Sequence, residues 1–481
     1  MEQPIFKYMV NQDEKSKKEL ELKIQNGHAR PMGHVENLFG IYQREKIYKS
    51  FSIICKYNKV INDEALLFHA LRPILVEYPL LSAAIVEQKI EDHVKPRPHD
   101  YTKVVDKVQL SDVMYELDEE IKALKGCELL EAMNSIVLPY GDDQLTWRLA
   151  IIDEFTLAYI SNHVLADGIT GKNLFQDLQI QFSKLYGSEI PPISPKSLLF
   201  NYNTDSTNLT HLPDPSDSVI DYAPPYSFIP EYLLNRFIIS KFCPNSHASP
   251  GVSINYQTIH ISASELSRIK QDLIEHEQDK KITLTPYIQA AWLNALYKTG
   301  VYNSKVTNFL LAVDARQYFP QENIDQYKYG LNTSATNKYF HNIKDFTWSW
   351  VGYLNDYIKW CVNTKRPLYL LGFLTLDKVV GNKNLDVEVR KTKHDKIRTN
   401  TLFSNLGVVE SNRKEVVDIE DCIFTQHFNG SFYDFSINAI TTRKGGLNFV
   451  ISSTGNASFS KAKFNEAVLA FKENLIGECC E

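Results

Sequence analysis

The sequence predicts two mixed α/β domains joined by a proline-rich connection. Three observations predict it. The chain has 481 residues, more than a single hydrophobic core usually organises. Both halves alternate β-type runs with runs of helical spacing. Between them, residues 188–230 hold eight of the chain's 20 prolines. Proline removes a donor and fixes φ, so neither a long helix nor a central strand fits there. The expected division is residues 1–187, a surface crossover at 188–230, and residues 231–481.

In the first half, residues 62–79 (NDEALLFHALRPILVEYP) place Leu67, Leu71, Ile74, Leu75 and Tyr78 at helical spacing. Asn62 is the expected N-cap, and Pro73 the expected kink. LLSAAIVEQ at 80–88 reads as a strand. QLTWRLAIIDEFTLAYISNHV at 144–164 carries two β-rich runs around IDEF, a hairpin pattern, with Trp147 in the core. KNLFQDLQIQFSKLYG at 172–187 puts Leu174, Leu178, Phe182 and Leu185 on one helical face.

In the second half, INYQTIHIS (254–262) alternates as a strand and runs into Ser262-Ala263-Ser264-Glu265, a capping box. TPYIQAAWLNALYKTG (285–300) predicts a helix with Thr285 as N-cap, Pro286 at its first position and Gly300 past its end. TNFLLAVDAR (307–316) reads as a strand, and 437–453 as a hairpin about Lys444-Gly445-Gly446. FNEAVLAFKENLIGE (464–478) is a terminal helix with Phe464, Val468, Phe471 and Leu475 on one stripe. It is expected to dock on the second domain; few basic residues flank the stripe, which disfavours an anionic lipid surface.

Composition excludes several classes. Net charge is −6 with no long basic run, which argues against nucleic acid. The N-terminus lacks an apolar signal core, and LYLLGFLTL (368–376) is too short to span a bilayer. The seven scattered cysteines form no zinc-spaced cluster and fit a reducing compartment. No metal and no bound cofactor are expected. There is no GxSxG elbow and no HExxH. Gly168-Ile169-Thr170-Gly171-Lys172 is too short for a phosphate loop.

One motif carries chemistry. Thirteen histidines give about one H-x-x-x-D match by chance at ordinary composition, and there are two, His163/Asp167 and His341/Asp345. His341 follows the polar run NTSATNKYF, which reads as a surface loop. His163 ends a β-rich run and precedes a glycine turn and a helix. Strand ends of this kind are where α/β folds expose reactive groups.

Taken with ARPMGHVENLF (29–39), ALRPILVEYPLLSAAIV (70–86), WRLAII, HVLADG, ITLTPYIQAAWLNALY (282–297), VDARQYFP (313–320) and FSNLGVVE (403–410), the chain resembles the fungal alcohol acetyltransferase family. That family lies within the CoA-dependent acyltransferases of chloramphenicol-acetyltransferase-like fold. The resemblance implies two similar domains enclosing an active-site channel, with acetyl-CoA as co-substrate and an alcohol as acceptor. It implies that His163 is the general base, that no acyl-enzyme forms, and that Asp167 turns away from His163 to pair with Arg316. Gly168, without a Cβ, would let the backbone pass close to the channel. Asn405 and Gly407 of SNLG are candidates for the channel wall. Ser431, Tyr433 and Ser436 are candidates for the wall and for oxyanion donation; the plant DFGWG motif has only a faint counterpart in SFYDFS.

Two rivals stand beside an alcohol O-acetyltransferase. One is an N-acetyltransferase for a hydrophobic amine, such as a sphingoid base or a drug. The other is a non-catalytic binding protein that keeps the fold. The expected setting is a cytoplasmic monomer, with weak peripheral contact to endoplasmic reticulum or lipid droplets as the outer limit.

Overall fold

The computed structural model describes residues 14–141, 143–243, 254–276, 281–302, 304–393, 399–410, 415–428, 432–454, 460–477 and 479. Its frame is two sheets. The first half builds a four-stranded sheet around the hairpin Trp147–Asp153 and Thr156–Ser161, which pairs antiparallel with Phe51–Tyr57. Alternation in the hairpin explains its burial on both faces: Leu149, Leu157 and Tyr159 enter one core, while Ala150, Ala158 and Ile160 enter a second cluster behind the sheet. Trp147 is buried in the first of these, its Nε1 donating to Leu81 O at 2.9 Å.

The second half builds a six-stranded sheet in the order Thr333–His341, Val306–Asp314, Thr399–Val409, Tyr433–Thr442, Gly446–Thr454, Ile254–Ile261. Val306–Asp314, Thr399–Val409 and Tyr433–Thr442 run parallel; the outer pairings are antiparallel. Period 2 splits the Val306–Asp314 strand as expected. Phe309 and Leu311 face the second core under the helix Leu284–Lys298, and Leu310 and Ala312 face a cavity.

One strand crosses the expected division at residue 231. Ile419–Gln426 leaves the second half and pairs with Phe51–Tyr57 as the edge strand of the first sheet. It brings Ile419, Cys422 and Phe424 into the first core, joined there by Leu406 and Ile440. Fully burying such a side chain contributes roughly 1.5–3 kcal/mol as an upper bound, so the crossover fastens the halves together. The connection 188–230 is also more than a surface crossover. Leu198–Asn201 pairs with Lys107–Gln109, and Ile220 and Tyr222 are buried against Ala315 and Phe319.

Several local expectations shift. Asp63, not Asn62, caps the helix Glu64–Glu77, accepting from Leu66 N at 2.8 Å; that helix continues through Pro73. Pro79–Ser82 is a 3₁₀ turn, and the strand is Ala83–Val86. Thr283, not Thr285, is the N-cap of Leu284–Lys298. The polar run before His341 is the strand Thr333–His341 at the sheet edge, and His341 lies exposed at its end. The terminal helix Lys461–Ile476 buries Phe464, Val468, Phe471 and Leu475 in the second core, so its apolar stripe is occupied. Among the described residues, no helix is long and apolar enough to cross a membrane.

Candidate active site

His163 stands just past the strand Thr156–Ser161 and before the helix Gly168–Leu185. That helix begins four residues earlier than the apolar spacing alone suggests, because Asp167 is its N-cap: Oδ1 accepts from Thr170 N at 2.8 Å. The cap and the histidine are thus one local device.

The Asp167 carboxylate turns to the second half. It accepts from Arg316 Nη1 at 2.8 Å, Arg316 Nη2 at 3.2 Å and Asn332 N at 2.9 Å. Arg316 is just as fully engaged. Its Nε donates to Tyr327 O at 2.7 Å, and Nη2 also reaches Lys328 O and Gly330 O. Burial alone would raise the Asp167 pKa; Arg316 and the N–H groups of Asn332 and Thr170 outweigh it and hold the carboxyl below the usual range. None of these hydrogen bonds goes to His163, so Asp167 is a bridge between halves.

The His163 ring sits in an aromatic collar. Phe39 stacks on it at 4.4 Å between centroids, with Phe51 at 5.2 Å and Tyr48 at 5.8 Å. Its Nδ1 is buried without a hydrogen bond of ordinary geometry, which leaves Nε2 as the nitrogen open to the cavity. Burial lowers the histidine pKa, and the Asp167 charge and the backbone of His163 and Ala166 only partly offset that. The imidazole is therefore neutral near pH 7. The cavity it faces has a volume of about 500 Å³ and lies between the halves. Phe39, Tyr42 and Tyr48 line it from the first half; Leu310, Ala312 and Tyr433 line it from the second. Burial pushes the Tyr433 hydroxyl up to about 12, so it keeps its proton.

Gly168 lies against the second half. A Cβ there would meet Leu406 Cδ2 at 2.4 Å, so the close approach is to this side chain as well as to the cavity that both residues line. Leu406 is held by a bulge in the strand Thr399–Val409, where Asn405 Oδ1 accepts from Gly407 N at 2.9 Å and Gly407 takes φ +69°. SNLG is thus a bulged strand, and Lys172 Nζ donates to its Leu406 O at 2.9 Å. Asn405 lines the cavity; Gly407 shapes the bulge behind it. Gly168→Ala is expected to cost roughly 1–3 kcal/mol by overpacking, seen as a lower Tm. Adding Leu406→Ala should reduce the part of that cost due to the clash, measured as non-additivity between the two changes.

Tyr433 and Ser436 both face the cavity, and Ser436 is buried. Ser431 lies outside the described residues. His341 stands apart, at the far edge of the second sheet. Sequence reasoning missed Tyr48, Gln426 and His427, which also line the cavity. Burial, aided by Lys49, lowers the pKa of His427 to about 4. No motif spacing marks these residues; they arrive through the crossover strand and the turn before Phe51–Tyr57. Among the described residues, no group of His, Cys, Asp and Glu has the arrangement to hold a metal ion.

A family model described as alcohol acetyltransferase matches residues 31–475. Alcohol O-acetyltransferase 2 of Saccharomyces cerevisiae is 28% identical over 500 residues, covering 89% of this chain and 92% of that protein. Alcohol O-acetyltransferase 1 of the same yeast is 28% identical over 520 residues, covering 94% and 96%. Among solved structures, the TRI3 trichothecene 15-O-acetyltransferase from Fusarium sporotrichioides superimposes with a TM-score of 0.68 at 15% identity, covering 93% of this chain and 94% of that one. The condensation domain of the Monacolin K polyketide synthase MokA gives 0.61 at 13% identity, covering 93% and 96%. At these identities the likeness shows the fold, a two-domain chloramphenicol-acetyltransferase-like architecture.

Proposed function

Because this chain belongs to the alcohol acetyltransferase family, we propose that it transfers the acetyl group of acetyl-CoA directly to an alcohol, with His163 as general base. The observation that carries this reading is a neutral imidazole whose Nε2 faces an aromatic-walled cavity while the neighbouring carboxylate is committed elsewhere. An alcohol is a weak nucleophile until its proton is removed during attack. Nε2 takes that proton as the alcohol oxygen bonds to the thioester carbon. The tetrahedral intermediate then reforms its carbonyl, the carbon–sulfur bond breaks, and the CoA sulfur recovers the proton from the imidazolium. No protein nucleophile is required. General-base action at Nε2 requires the neutral tautomer whose proton is on Nδ1.

Asp167 acts through position: its bridge to Arg316 sets the distance between the halves and hence the width of the channel. The aromatic and aliphatic walls suit a lipophilic acceptor. The test is a panel of primary alcohols and hydrophobic amines of increasing chain length, incubated with acetyl-CoA and read by mass spectrometry. Acetyl esters are expected. Acetamides without esters would favour the N-acetyl reading, and no product from any acceptor would favour the binding-protein reading.

A further inference from the structure

The helix that covers the base belongs to the first half but is held in good part from the second. His34–Arg44 carries Leu38, Phe39 and Tyr42 along the cavity, and Phe39 stacks on the His163 ring. Near its start, Val35 is buried with Ala315, Phe319 and Leu368 of the second half. Its last residue, Arg44, is gripped more firmly. Nε and Nη2 donate to the two carboxylate oxygens of Asp386 at 2.6 and 3.0 Å, a bidentate pair. Nη1 donates to the Tyr140 hydroxyl at 2.7 Å and to Asp100. One residue on, Glu45 accepts from Arg390 Nε at 2.8 Å and from Nη2 at 2.7 Å.

Asp386 and Arg390 lie four residues apart, on one face of the second-half helix Leu385–Thr392. This helix is docked on the first half as a strap. Asn384 caps it through Val387 N and donates to Val94 O at 3.2 Å. Arg390 Nη1 donates to Asp92 at 2.7 Å, and Arg97 Nε lies 3.4 Å from Asp386. Asp386 and Arg97 are buried, and the Arg44 side chain is only 9% exposed. Ion pairs so far out of water are screened little by salt and hold their geometry strictly. The last residue of the strap, Thr392, lines the cavity, but neither Asp386 nor Arg390 does.

We propose that Asp386 and Arg390 are positioning residues that act through Phe39: by fixing the end of His34–Arg44 they keep its phenyl ring stacked on His163 and keep water from the base. The role rests on the acetyl-transfer reading above, which makes His163 that base. Burial lowers the His163 pKa, and Phe39 covers one face of the ring. The other groups around the imidazole stay in place when the strap is cut. Asp167, on its own turn, acts on it through charge, and Tyr48 stands beside it. Tyr42, Tyr433, His427 and Asp314 line the same cavity. Burial keeps the three phenols protonated and His427 neutral near pH 7, and Asp314 is paired with Arg316. Loosening the helix therefore changes the solvation of the imidazole and not the charges about it. Hydration favours the protonated ring, so the His163 pKa should rise toward the ordinary value of about 6.5.

The test follows the His163 ring by NMR in full-length protein labelled with 13C-histidine, its signal identified by its loss in His163→Gln. Asp386→Asn is expected to move the His163 titration to higher pH, and Phe39→Leu to do the same. The double variant should shift no further than Phe39→Leu alone, because the strap acts through a ring that is no longer there. Asp205→Asn, which breaks an ion pair with Arg72 outside the cavity wall, should leave the titration where it is. In acetyl transfer, Asp386→Asn should lower kcat by roughly tenfold at pH 8, with a larger deficit at pH 6. A folded Asp386→Asn protein, judged by Tm, whose His163 titrates as in wild type overturns the positioning role. A double variant shifted well beyond Phe39→Leu overturns the route through Phe39. Should Asp386→Asn fail to fold, Arg390→Gln, at a side chain 44% exposed, is read in its place with the same sign expected. The titration needs no substrate, so a wild-type protein that forms neither ester nor amide would sink the acetyl-transfer reading while the ring still reports whether the strap sets its pKa.

Discussion

Replacing His163 with alanine is expected to lower the rate of acetyl transfer about 10²–10⁴-fold while leaving the fold intact. The ring is held mainly by Phe39, Phe51 and Tyr48, and its buried nitrogen makes no ordinary hydrogen bond, so little of the protein's stability depends on it. His341→Ala should change neither activity nor Tm, because His341 lies exposed at the end of an edge strand. The pH profile follows from the direction of the shift. Burial lowers the His163 pKa, so the base is already unprotonated at neutral pH. kcat/KM should be level through pH 7 and decline only below the ordinary histidine value of about 6.5. Equal activity in the two alanine variants, or a base titrating well above neutrality, would remove His163 from the reaction.

Asp167→Ala is expected to destabilise the protein by up to about 3–5 kcal/mol, because it breaks a buried ion pair from one side and leaves Arg316 with only Asp314, whose Oδ1 lies 3.0 Å from Nη1. It also removes the cap from Thr170 N and the acceptor for Asn332 N. Activity should fall with stability, since the bridge sets the relation of the two halves. The linked pH effect has a definite sign. The carboxyl is held below its usual range by Arg316, so its contribution is complete above the unfolded value of about 3.9 and is lost as pH falls through the lower folded value. Thermal unfolding of wild type and variant at pH 7 and near pH 3 should therefore show a gap that narrows in acid. A variant within about 1 kcal/mol of wild type at pH 7 would mean that the bridge does not hold the halves.

The parts of the fold legible in the sequence are those written in local periodicity. The hairpin about IDEF is written in two β-rich runs, and Ser262 and Glu265 form their capping box. Cap positions slipped by a residue or two where several cap-capable residues stand together, as in Asn62-Asp63 and Thr283-Leu284-Thr285. The strand Thr333–His341 was hidden because it is an edge strand that is polar on both faces: Asn337 stands beside Leu310 on the cavity side, and Ser334 and Thr336 stand beside Val313 and Leu311 on the other, so its pattern reads as a loop. The crossover of Ile419–Gln426 into the first sheet is a tertiary event that no local spacing encodes.

The site divides in the same way. His163 and Asp167 share one turn, so a fixed spacing and the following glycine mark them. Arg316 was reached only through the family resemblance, and the structure brings it to Asp167 across the interface. Gly168 was legible as a close approach, but not that Leu406 is part of what it approaches. Gln426 and Tyr48 lie on separate elements that meet only after the halves interlock.

Direct transfer from acetyl-CoA to an alcohol is tested by rapid-mixing measurement of free CoA thiol. Purified protein is mixed with acetyl-CoA alone, then with acetyl-CoA and an accepting alcohol, and the intact protein mass is read in parallel. No thiol burst is expected without alcohol, with one ester formed per thiol released when alcohol is present and a protein mass unchanged throughout. A burst of one thiol per protein molecule, accompanied by a mass increase of one acetyl group, would contradict it.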